Sequence, residues 1–95
     1  MTEIDTEAWT LNELQLGDIV GSTNRIVIAK TKLWDRVPGD TYAGWVTICM
    51  KDLEYHPYVV WYVYAHPNGF FAETGTYCST LTEAIENYKR RGGVL

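Results

Sequence analysis

Residues 58–65, YVVWYVYA, constrain this chain more than any other segment. Side chains alternate faces along a strand, so Tyr58, Val60, Tyr62 and Tyr64 point one way. Val59, Trp61, Val63 and Ala65 point the other. Neither face is polar. Such a strand belongs in the interior of a sheet, with apolar cover on both sides.

The rest of the chain supplies partners for it. Residues 42–51 alternate, with Val46, Ile48 and Met50 on one face and Trp45, Thr47 and Cys49 on the other. Residues 24–33 are β-branched and half polar, which again reads as a strand. His66-Pro67-Asn68-Gly69 is a turn signal and folds residues 69–78 back as a hairpin. Gly75 within that strand marks a bulge or a close backbone approach. Pro38-Gly39-Asp40 makes residues 34–41 a loop. The strands are therefore expected near 24–33, 42–51, 57–66 and 69–78.

One helix is expected, over residues 80–91. Thr80 and Glu83 form a capping box, and Leu81, Ala84, Ile85 and Tyr88 follow helical spacing. Lys89, Arg90 and Arg91 complement the C-terminal dipole before Gly92-Gly93 ends the helix. The expected fold is a single α+β domain over residues 9–95. It has an antiparallel sheet of four or five strands, open or curled in an SH3-like way, and one C-terminal helix. Thr10 and Glu13 have capping-box spacing, so a short turn is expected near residues 11–15. Residues 1–8 read as an acidic, flexible tail.

At 95 residues there is room for one core and no deep interdomain cleft. The chain is 46% hydrophobic and 14% aromatic, so it can build that core without staples. Cys49 and Cys78 each lie in an apolar run and read as buried free thiols. They could bridge only from neighbouring strands. No metal-ligand spacing occurs, and His56 and His66, each before a proline, read as turn residues. No nucleophile elbow, phosphate loop or dinucleotide fingerprint occurs either. The expectation is a non-enzyme without cofactor or metal. No apolar run reaches the length of a membrane span, and the acidic start lacks a signal-peptide core. These features point to a cytoplasmic protein that does not engage membranes.

Two surfaces could bind something. An apolar helix stripe covers only one sheet face. If the sheet is open, Tyr58, Tyr62 and Tyr64 form a patch for a protein partner or a homodimer. Alternatively, Arg25, Lys30, Lys32 and Arg36 with Trp34 among them suit phosphates and stacked bases. A net charge of -4 weighs against nucleic acid.

Three resemblances accompany this reading. L-Q-L-G-D-I-V at 14–20, before an Ile/Val-rich strand, resembles the opening of SH3-like small barrels. T-L-T-E-A-I at 80–85 resembles the start of the helix in HicB-type antitoxins. It carries Thr80, Leu81, Glu83, Ala84 and Ile85, but has Cys78 and Ser79 where that family has Gly and Asp. That resemblance implies an antitoxin-type regulator, with no DNA-binding segment after the helix. The whole chain is similar in style to small proteins of tailed phages infecting actinobacteria. It shares the acidic start, the L-x-x-G-D-I-V segment, the Trp/Tyr hairpin and the E-A-I-E-N-Y-K-R-R-G-G ending. That similarity implies an effector that engages one host or phage protein in the host cytoplasm.

Overall fold

The computed structural model describes residues 13–20, 23–35, 43–66 and 69–95. Among the described residues four strands pair in chain order: β1 (Ile26–Trp34), β2 (Gly44–Met50), β3 (Tyr58–His66) and β4 (Gly69–Cys78). All three pairings are antiparallel. Among the described residues a single helix, α1 (Leu81–Arg90), follows. The α+β class, the four strands and the C-terminal helix agree with the sequence reading. The sheet is an open meander, so the SH3-like closure is not realised. The expected tail and residues 11 and 12 of the expected turn near 11–15 lie outside the described residues, as do Pro67 and Asn68 of the hairpin turn. Residues 13–15 carry no helix, and the turn that is present closes from Asp18 N–H to Gln15 C=O.

The strand with two apolar faces is an interior one. On one face, Val59, Trp61, Val63 and Ala65 join Trp45, Cys49 and Val27 in a buried cluster. Leu14 and Val20, from the segment before β1, complete it. On the other face, Val60 joins Val46 and Ile48 beneath Ala84 and Tyr88 of α1. The two clusters lie back to back across the sheet. The cysteines belong to different clusters and to strands separated by β3, so they are buried but not bridged.

The helix begins where its residues require. Thr80 accepts a hydrogen bond from the Glu83 backbone N–H, and the Glu83 carboxylate reaches back to Ser79 N–H. At the other end Gly93 N–H bonds to Tyr88 C=O and Gly92 N–H to Lys89 C=O. This double closure needs a left-handed residue, and Gly92 has φ 100°. Ala84 and Tyr88 are buried, Ile85 is half-buried, and Leu81 is exposed. The apolar stripe is therefore narrower than the residue spacing predicts. Among the described residues no helix is long and apolar enough to cross a membrane.

Both edge strands are interrupted. In β1 the register slips between Val27 and Ala29 and again between Lys32 and Trp34. In β4 it slips opposite Trp61, where Thr74 takes φ 57°. The bulge expected around Gly75 is thus present, but Thr74 takes the positive φ. Gly75 lets Trp61 approach: a Cβ there would stand 3.3 Å from the indole. Bulges of this kind break up the flat edge of a sheet.

Candidate functional site

The helix ends before the sheet does. At its C-terminal end, Arg91 lies 5.0 Å over the Tyr62 ring and bonds to Thr74 C=O and Thr76 Oγ1. One row further along the same sheet face, four residues stand in register across all four strands. Trp34 pairs with Gly44, Gly44 with Tyr64, and Tyr64 with Phe71. Gly44 gives the row its shape. A Cβ there would overlap the Trp34 indole, so the missing side chain lets that ring lie across β2 and reach Tyr64. The Trp34 and Tyr64 centroids are 5.6 Å apart. His66 stands edge-on to Phe71 at 5.3 Å.

This row is only partly covered. Trp34, Tyr64 and His66 are half-buried, and Phe71 is 53% exposed. Its electrostatic frame is mixed, with Arg91 one row away over Tyr62 and Asp35 paired to Lys32. Tyr64 Oη donates to Glu73 Oε1 at 2.8 Å, and Asp35 follows Trp34 on the surface. Partial burial and the Glu73 carboxylate hold the Tyr64 phenol above its ordinary pKa, so it stays a neutral donor.

The three tyrosines read as one open patch do not form one. Tyr58 and Tyr62 are half-buried against the helix-side core. The helix sits on the tyrosine face because Val46, Ile48 and Val60 make an aliphatic bed there for Ala84 and Tyr88. The opposite face carries the bulkier Trp45 and Trp61 and is filled with Leu14 and Val20. Only Tyr64 extends beyond the helix. The sequence reading missed Phe71 and Gly44. The register of four strands joins them to Trp34 and Tyr64, and no local motif records that register.

The basic set is dispersed. Arg25 donates to Pro57 C=O at 2.9 Å and His56 C=O at 3.1 Å, and lies over Tyr77. It fastens the β2–β3 loop and the end of β4. Lys32 pairs with Glu13 at 2.7 Å and Asp35 at 3.3 Å and lies over Trp45. Its hydrogen bond to Glu13 raises its pKa most, and the two carboxylates together outweigh desolvation, which acts in the other direction. Lys30 and Lys32 share the face of Thr47 and Trp45, opposite the aromatic row that holds Trp34. Arg36 lies outside the described residues.

The two thiols are structural in their surroundings. Cys49 Sγ accepts from Trp61 Nε1 at 3.2 Å, and burial pushes its pKa up. Burial likewise raises Cys78. A raised pKa disfavours the thiolate, which is the reactive form. His56 Nδ1 lies 3.1 Å from Ser79 Oγ and the ring stands edge-on to Tyr55. Among the described residues no group of three or more His, Cys, Asp or Glu could hold a metal ion. No protein-family model, curated protein or solved structure matches the chain.

Proposed function

We propose that the chain is a non-enzymatic binding module whose partner is a protein. The observation that carries this reading is the row Trp34, Tyr64 and Phe71, left beyond the helix with Phe71 53% exposed. Large aromatics that stay half-wet are the residues that dominate protein contacts. The Glu73 carboxylate on Tyr64 favours an apolar segment that carries a basic residue. The resemblance to tailed-phage proteins would put that partner in a bacterial cytoplasm, as a host or phage protein.

The rival reading is a nucleic-acid binder or an antitoxin-type regulator. Affinity capture from bacterial lysate at low and high salt separates the two. Retention of one protein at both salt concentrations, after nuclease treatment, supports the proposal. Retention of nucleic acid that is lost steeply with salt would replace it, because released counterions drive such binding.

A further inference from the structure

A second surface lies on the far edge of the sheet, away from β4. Residues 17–20 cover the start of β1, through Gly17 N–H to Val27 C=O, Val27 N–H to Asp18 C=O and Val20 N–H to Arg25 C=O. Beyond Val27 no described segment pairs with the outer edge of β1. An apolar hollow of about 280 Å³ opens there, lined by Leu16, Ile28, Lys30, Tyr88, Val94 and Leu95. Leu16, Val94 and Leu95 are each more than 60% exposed. Between its two bulges, residues 29–32 of β1 keep a regular edge whose backbone has no partner among the described residues, and such an edge with apolar flanks takes another strand.

The charges on this edge specify which strand. Lys30 and Lys32 point to the same face, with no bulge between them. Lys32 carries two carboxylates, Glu13 and Asp35, so that group is net negative by one. Lys30 makes no ion pair among the described residues. We propose that β1 pairs antiparallel with β1 of a second copy about a two-fold axis through Thr31. Lys30 of one copy then stands opposite Lys32 of the other and meets its surplus carboxylate, and the same contact repeats across the axis. This is the self-complementarity that a two-fold interface requires. Val94 is tied to Thr31 by its N–H at 2.9 Å, so the exposed Val94 and Leu95 of both copies meet beside the axis. The two meanders become one eight-stranded sheet. This interface shares Trp34 and Asp35 with the aromatic row, but Phe71 lies on β4 at the opposite edge of the sheet, so Phe71→Asp and Lys30→Glu test the two proposals separately.

Sedimentation equilibrium of the whole chain tests this, with circular dichroism to confirm the fold of each variant. The wild type should dimerise reversibly. Lys30→Glu sets a third carboxylate against the acidic group and should raise the dimer Kd roughly tenfold or more. Lys30→Glu combined with Glu13→Lys reverses both sides and should restore the dimer. Leu16→Asp, on an exposed side chain, should weaken it through the apolar flank. A wild type that stays monomeric at millimolar concentration overturns the proposal. So does a dimer that Lys30→Glu and Leu16→Asp both leave intact, because its interface would lie elsewhere.

Discussion

The Trp34 indole occupies the space that a side chain at Gly44 would fill, and this places it 5.6 Å from Tyr64 on the next strand. One absent methyl group thus connects β1 to β3 across β2. Gly44→Ala must move the indole or the strand. Overpacking of this kind costs about 1–3 kcal/mol. The expected result is a lower urea midpoint together with altered tryptophan fluorescence. An unchanged midpoint and spectrum would show that the indole does not depend on this gap.

Arg25 holds the β2–β3 loop by two carbonyls and faces Tyr77 on β4. Hydrogen bonds from a charged donor contribute about 1.5–3 kcal/mol when buried. This guanidinium is only part-buried, so Arg25→Met should cost about 1–2 kcal/mol while keeping most of the apolar stem. Hydrogen exchange should rise in residues 51–57. If Arg25 instead served a ligand, the variant would fold as stably as the wild type.

Tyr88 closes the helix onto the sheet. Its ring is buried, and its hydroxyl lies beside Thr31 Oγ1 and Val94 C=O. Tyr88→Phe keeps the ring and should cost about 0.5–1.5 kcal/mol. Tyr88→Ala opens the core and should cost about 3–5 kcal/mol. Chemical denaturation of both variants separates the hydroxyl from the ring.

Alkaline pH should weaken the fold. Cys49, Tyr64 and Tyr88 are raised above ordinary values of 9.0, 10.0 and 10.0, with burial as the first cause, and Lys32 is raised above 10.5 chiefly by Glu13. For each group the folded state binds its proton more tightly than the unfolded state does. Their contribution is therefore intact below pH 9 and is lost as pH climbs through the raised values. The urea midpoint should be flat in this respect from pH 7 to 9 and fall above it. A thiol reagent at pH 8 should leave Cys49 unmodified until denaturant is added.

The elements were legible in the sequence because their signals are local. Alternation in residues 42–51 and 58–65, the turn before Gly69, and the box at Thr80 and Glu83 each need only a few neighbouring residues. What the helix covers is not local. Both faces of β3 are apolar, and the choice between them depends on Val46 and Ile48 in β2 matching Val60, which register alone decides. The aromatic row was hidden for the same reason. Trp34, Gly44, Tyr64 and Phe71 are spread over 38 positions and meet only when four strands align. The basic cluster failed in the opposite way. Arg25 and Lys32 are close in sequence, yet a loop carbonyl pair claims one and two carboxylates claim the other.

Phe71→Asp tests the central claim most directly, because a contact residue and a core residue answer differently. Phe71 is 53% exposed, so the change should alter stability by no more than about 0.5 kcal/mol, the usual range for a surface site. Capture of the protein partner from lysate should be lost. Retained capture by a folded Phe71→Asp protein would contradict the account, as would unfolding, which would show that the aromatic row is part of the core.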